Sequence, residues 1–382
     1  MPSIWSYSDS ADRGYGLFKR RIFKALRQSG WETFLAEAPL LESSSKAILR
    51  DHLFAHPCDW IFLINQTAVQ LYEYLSLPPD RIPLSCKKLI WFLDNPQFFI
   101  TQTLEPQEYV FSFDETYLPF MQNCSPSPPG FFPLAADQES AGKIVPDLEC
   151  AVCFVGGVID QGKRRQYLSA EMIDYINLLV EKKLSQRGNS FEELSLQYPI
   201  APGKQIQITN EVAHFLYWEA NNRYRLRVLE SLMDFDLRIY GNEDWEILLA
   251  ASPLKSYFKG PADPIKDLPH LFASAKINLN LHSIQCLGSM NQRDFNAPIC
   301  DGFLLSDWVS AAGKYFVPSV EAVYWKDIAD LRHKIHYYLE HKAERRKIIA
   351  AGKARVLRDH TYPHRVQELL SVLPNIQSHL PR

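Results

Sequence analysis

The sequence predicts an α/β protein built as two doubly wound domains. Three observations carry that expectation. The chain has 382 residues, against about 100–200 residues per domain. Short apolar runs alternate with helix-patterned segments, the pattern of strands that need helical crossovers. A polar, turn-rich break falls near 136–149, and the alternation restarts after it.

In the first half, strands are expected at Ser3–Tyr7, Thr33–Glu37, Asp59–Ile64, Lys88–Leu93, Tyr109–Phe113 and Phe131–Leu134. The runs WIFLI and KLIWFL are apolar throughout, as strands covered on both faces of a parallel sheet are. Between the first two strands, LFKRRIFKALRQSG carries Leu17, Ile22, Phe23 and Leu26 at helical spacing and stops at Gly30. SPSPPG and AADQESAGKIVPD then interrupt the pattern.

The second half opens on the strand Cys150–Val155, followed by a long, charged, mostly helical stretch from Lys163 to Met233 that reads as an insertion. Strands follow at Leu237–Gly241, Ala275–Leu281, Gly302–Ser306 and Glu321–Tyr324, with helices at about 326–341, 343–358 and 362–373. The domains expected are 1–140, 150–360 with the helical insertion at about 163–233, and a C-terminal helix in 361–382 able to cross back to the first domain.

Composition narrows the function. Hydrophobic residues are 46% and charged residues 22%, and 41 Lys+Arg against 44 Asp+Glu give a formal charge of −3. A disordered chain is excluded, and there is no global cationic field to gather nucleic acid or an anionic membrane. The seven cysteines are scattered, and Cys150 and Cys153 form a CxxC inside an apolar strand with no second ligand pair, so reduced thiols are expected rather than a metal site. The N-terminus lacks a basic start followed by an apolar run, and no apolar stretch approaches a membrane span, so a cytoplasmic location is expected.

The residues most able to carry chemistry follow strands in the second half: CFVGG (Cys153–Gly157), RIYGN (Arg238–Asn242) and the long segment Ile277–Asp307. Glycine or small polar residues directly after a strand let a backbone approach a ligand, while the next helix offers free N–H groups to phosphate. The same glycines also serve tight βα turns. Three such loops in order, with Arg293 among them, favour a nucleotide, because the planar fork of Arg makes paired bonds to phosphate oxygens.

FVGG, IYGNEDW, YFKGPADPIKDLPHLFASAKINLNLH, NQRDFNAPICDGFLLSD and the ending through Gly352, Val356, His360, Thr361, Tyr362, His364 and Arg365 resemble one family. It is the GT-B glycosyltransferases of the spore-maturation-protein-like group, with a DUF3880-type N-terminal domain and a glycosyltransferase-family-1-like C-terminal domain. WFLDNP, FSFDETY and FFPLAAD resemble its N-terminal pattern. The resemblance is strong from 236 to 372, moderate before 160 and weak in the insertion. It implies two Rossmann-like domains facing a central cleft, a nucleotide-sugar donor on the second, a protein, glycan or cell-surface acceptor on the first, and no cofactor or metal beyond the donor. Donor contacts implied are Gly156, Gly157 and Gly241 at the first two loops, Asn280, His282 and Gly288 in the donor loop, and Arg293, Phe295 and Asn296 at the helix start.

Two positions depart from the family pattern. Many relatives carry a carboxylate where Asn296 stands, and an amide holds no negative charge. Asp301 occupies a usual glycine. These departures motivate an alternative, a catalytically inactive GT-B-shaped nucleotide-binding or scaffolding protein; a sugar-nucleotide epimerase on the same fold is a third reading. An inverting transferase needs a base at a strand end of the first domain. Asp12 and Asp94 are the candidates, with Asp9 beside Asp12; capping and turn roles suit the same residues. Asp234 and Asp236, the one Asp-x-Asp pair, precede a strand at its amino end. His360 and His364 read as packing of the terminal helix, and the KAERRK run at 342–347 as a solvated face.

Overall fold

The computed structural model describes residues 1–9, 14–39, 44–77, 86–204, 206–286 and 288–373. It divides into two compact units, Met1–Gln138 with Leu357–Arg382, and Glu139–Val356. Asp12 lies outside the described residues.

The first unit runs β1 (Ser3–Asp9), α1 (Tyr15–Gln28), β2 (Glu32–Ala38), α2 (Ser45–Ala55), β3 (Trp60–Ile64), α3 (Ala68–Leu75), β4 (Lys87–Phe92), β5 (Glu108–Ser112), α4 (Leu118–Cys124) and β6 (Gly130–Phe131). Its strands form one sheet in the order β2-β1-β3-β4-β5-β6, every pair parallel. All five residues of β3 are buried, as its unbroken apolar run requires. α1 turns Ile22, Phe23 and Leu26 inward and stops at Gly30, whose φ of +82° places it in the left-handed region. There Trp31 N–H donates to the Leu26 carbonyl and Gly30 N–H to that of Arg27, the paired closing bonds of a Schellman cap.

The helix Tyr362–Val372 also belongs to this unit and packs on α1. Thr361 bridges to Ala136, and Arg365 donates to the Leu134 carbonyl and to His360 Nδ1. The terminal histidines are packing and capping groups, His364 accepting at Thr361.

The second unit contains β7 (Cys150–Val155), α5 (Gly162–Arg165), α6 (Ala170–Ser185), α7 (Phe191–Gln197), α8 (Asn210–Glu230), β8 (Leu237–Gly241), α9 (Asp244–Leu248), β9 (Phe258–Pro261), α10 (Leu268–Ser274), β10 (Ala275–Asn280), α11 (Gln292–Ile299), β11 (Leu304–Asp307), α12 (Ala312–Tyr315), β12 (Val323–Trp325), α13 (Ile328–Glu340) and α14 (Lys342–Asp359). Its parallel sheet has the order β12-β11-β10-β7-β8-β9, which is the dinucleotide-fold order with its reversal between β7 and β10. Ligands in such sheets bind outside the carboxyl ends of the strands at that reversal.

Three expectations need correction. β9 was not foreseen: it is short, half exposed and contains Gly260 at φ +106°. The strand expected over Phe131–Leu134 is only Gly130–Phe131. The basic run at the start of α14 is not wholly solvated, because Arg345 is buried and donates to the Tyr338 carbonyl. Among the described residues no helix is long and apolar enough to cross a membrane.

Candidate functional site

At the carboxyl end of β10 the chain carries Asn280, Leu281 and His282, and the next helix, α11, begins close by. Asn291 caps that helix: its side chain accepts from Arg293 N–H at 2.9 Å, while Asp294 accepts from Asn291 N–H at 2.8 Å. The cap therefore fixes Asp294 and Arg293 on the side facing the strand end.

Asn280 uses its whole amide. Its Nδ2 donates to Asp294 (2.8 Å) and Ser306 (3.1 Å), and its Oδ1 accepts from Arg293 Nε (2.8 Å) and Asn291 Nδ2 (3.0 Å). With its hydrogen-bonding capacity filled and 1% exposure, it positions neighbours rather than meeting a ligand. His282 stands similarly: Nδ1 lies 2.6 Å from Asp307 and Nε2 2.8 Å from Asp294. Burial alone would push its pKa down, but the two carboxylates outweigh burial and hold it up to about 10. Asp307 responds in kind, held down at about 2 against burial by His282 and Arg187. Its second oxygen accepts from Tyr224 (2.8 Å) and Arg187 (3.2 Å). Asn280 and His282, expected in the donor loop, thus spend these side-chain hydrogen bonds on neighbouring residues.

Arg293 is different. Its Nε and Nη2 are held by Asn280 and by the Leu281 carbonyl at 3.1 Å, both neutral acceptors, and it forms no ion pair among the described residues. Across from it, α8 brings Asn221 and Arg225, four residues apart and so on one helix face. Asn221 is 1% exposed, with neither amide atom paired. Arg225 is 5% exposed, touches the Phe154 ring at 6.0 Å, and makes no hydrogen bond or ion pair among the described residues. Burial, then the neighbouring Arg293 charge, push its pKa well down. Sequence reasoning missed both, having set α8 aside as insertion; the signal present was two amides and three arginines in NNRYRLR, ahead of the IYGNEDW motif.

Gly156 and Gly241 let two loops touch: a Cβ on Gly241 would lie 2.3 Å from the Gly156 carbonyl, which already accepts from Trp245. Gly157 is exposed beside Asn242, whose side chain bonds Val158 on both sides. Phe295 is fully buried against Tyr315 and Phe316. Asn296 is half-buried and accepts from Gln292 at 2.8 Å. Gly288 is buried in the loop before α11. Asp301 sits at φ +61° and closes α11 as Gly30 closes α1, with its carboxylate 2.6 Å from Lys353.

Beside Asp307, a cavity of roughly 730 Å³ opens at the ends of β11 and β12, walled by Tyr224, Trp308 and Trp325. In the first unit, Asp94 follows β4 and accepts from Asn65 Nδ2 at 2.7 Å and from the Tyr15 hydroxyl. Asn65, at φ +51°, in turn receives Leu93 and Asp94 N–H. Among the described residues, no group of three or more His, Cys, Asp or Glu side chains gathers to hold a metal ion.

Residues 223–371 match the family model described as glycosyl transferase-like. Solved structures of similar fold include sucrose-phosphate synthase from Thermosynechococcus elongatus, 10% identical, with TM-score 0.59 over 99% of this chain and 100% of that one. A glycosyltransferase from Rickettsia africae ESF-5 is 8% identical, with TM-score 0.58 over 99% of each chain. Anabaena HepE, solved with UDP and glucose, is 10% identical, with TM-score 0.56 over 98% of this chain and 100% of that one. The fold is GT-B, two parallel α/β units in one chain. No curated protein matches the sequence.

Proposed function

We propose that the protein is a glycosyltransferase that takes a sugar from a nucleotide-sugar donor whose diphosphate is held in the second unit by Arg225 and Arg293. The observation that carries this is Arg225. A buried guanidinium without counter-ion is costly, and the cost is recovered when an anion with several acceptor oxygens enters beside it. Asn221, with its amide unpaired on the same face, adds a donor and an acceptor for phosphate or a sugar hydroxyl. The aromatic walls beside Asp307 suit the planar or sugar rings of the donor.

Charge on the leaving diphosphate is then met by arginines without a carboxylate-bound metal. The match at 223–371 and the solved complex of HepE with UDP favour this reading and make uracil the first base to test. The motif wording favours the spore-maturation-protein-like group, acting in the cytoplasm on a protein, glycan or cell-surface acceptor rather than on nucleic acid. Asp94, at a strand end of the first unit, is the proposed base, with Asp12 its rival. Gly156, Gly157 and Gly288 shape the loops around the donor.

The test is to incubate the protein with a panel of nucleotide sugars, with and without EDTA, and follow free nucleotide. Slow release that survives the chelator is the expected result. Release abolished by EDTA and restored by Mn²⁺ refutes the metal-free mechanism. Binding without release leaves the alternative, a nucleotide-binding protein without turnover, for which the amide at Asn296 is the specific observation.

A further inference from the structure

The helical segment between β7 and β8 encloses a second cavity, apart from the polar cluster. α5, α6 and α8, with residues 206–208, wall in roughly 420 Å³. Ligand sites run to about 300–1,000 Å³ with mostly apolar walls and a few placed polar groups. Met172, Ile176, Leu179, Ile206, Ile208 and Phe215 supply the apolar wall, which gives water few partners.

Two polar features mark where a guest's polar end belongs. Tyr175, 5% exposed, is one of the lining residues, and its buried hydroxyl has no hydrogen-bond partner among the described residues. Buried hydroxyls are rarely left so unless something absent completes them. Arg164, exposed at the rim, among the described residues meets Gln161 Oε1 at 3.3 Å and His214 Nδ1 at 3.4 Å and forms no ion pair with a carboxylate. Arg164 and Glu211 are the two charged residues of the lining, and Lys163, exposed, precedes Arg164 in the chain.

We propose that this cavity binds the apolar chain of an amphiphile with a negatively charged head, the chain between α6 and α8 and the head against Arg164. A carboxylate on an acyl chain and a phosphate on a prenyl chain share this chemistry. The Tyr175 hydroxyl meets an oxygen near the head. Nothing here depends on the nucleotide site, whose residues line neither wall nor rim.

The experiment is calorimetric titration of the full chain with dodecyl phosphate below its micelle point. Laurate, farnesyl phosphate, dodecyl maltoside and inorganic phosphate serve as separate arms. One saturable site is expected, tighter for the charged heads than for the maltoside, with inorganic phosphate silent; the tighter of laurate and farnesyl phosphate identifies the source. Leu179→Trp fills the cavity and should weaken binding by about tenfold or more. Arg164→Gln, at an exposed position that does not endanger folding, should bring dodecyl phosphate level with the maltoside at unchanged melting temperature. No saturable binding of any chain, or chain binding unchanged in both variants, overturns the proposal.

Discussion

Two buried charges in the second unit are treated in opposite ways. His282 is enclosed by Asp294 and Asp307, with both ring nitrogens bonded and its charge fully balanced. Arg225 is buried too and makes no hydrogen bond or ion pair among the described residues. A balanced charge rigidifies the site; an unbalanced one waits for something. The difference separates the residues that build the site from those left over to bind.

The largest effect expected is on the balanced cluster. His282→Ala leaves two carboxylates buried without their shared cation and should cost about 3–5 kcal/mol of stability, the range for breaking a buried pair from one side. Chemical denaturation of the variant checks it. A loss near zero would show that the carboxylates find other partners and that the cluster does not hold the site together.

Removing the unbalanced charge should do the reverse. Arg225→Met is expected to raise the melting temperature of the ligand-free protein while weakening UDP binding by about 1.5–3 kcal/mol, the range for charge-assisted hydrogen bonds. Arg293→Ala should weaken UDP binding by a similar amount, with little change in melting temperature, since Arg293 bonds only neutral acceptors. UDP affinity untouched in Arg225→Met by calorimetry would make that arginine a structural residue and remove the main support for the donor site.

Acidity sharpens the contrast. The folded pKa of His282 is raised to about 10 from its usual 6.5, so its contribution is fully present below pH 6.5 and is lost as pH rises through 10. Asp307 is lowered to about 2 from 3.8, so its contribution is present above pH 3.8 and is lost as pH falls through 2. The stability gap between wild type and His282→Gln should therefore be widest between those limits and close toward pH 10. A gap constant across that range would mean that His282 is neutral in the folded protein.

Both sheets were legible in the sequence because strands covered on two faces announce themselves as apolar runs: WIFLI became β3, and CAVCFV became β7. Loops after strands were legible too, since glycine and small polar residues stand there for steric reasons. Which of their residues face a ligand was not. Gly241, Asn280 and His282 have the right types at the right places, yet packing or hydrogen bonds consume them. α8 failed for a different reason. It buries Glu219, Asn221, Asn222 and Arg225 together with its apolar residues, so no apolar stripe distinguishes its inner face. A polar residue in a helix reads as solvated until the structure shows it buried.

A third charge, Asp301, gives the smallest expected effect. It takes the left-handed position that ends α11, where glycine is ordinarily favoured, and its half-exposed carboxylate pairs with Lys353. An exposed pair of this kind is worth about 0–1 kcal/mol, while a left-handed backbone costs a non-glycine residue about 1–2 kcal/mol, less for Asp than for most. These terms nearly cancel, so Asp301→Gly should leave stability within about 1 kcal/mol of wild type, on the stabilising side if the backbone cost is the larger. Because Lys353 already neutralises this carboxylate, UDP affinity should not move. A gain in affinity on removing it would mean that the carboxylate opposes the bound diphosphate, and that the charge balance around α11 reaches beyond Arg225 and Arg293.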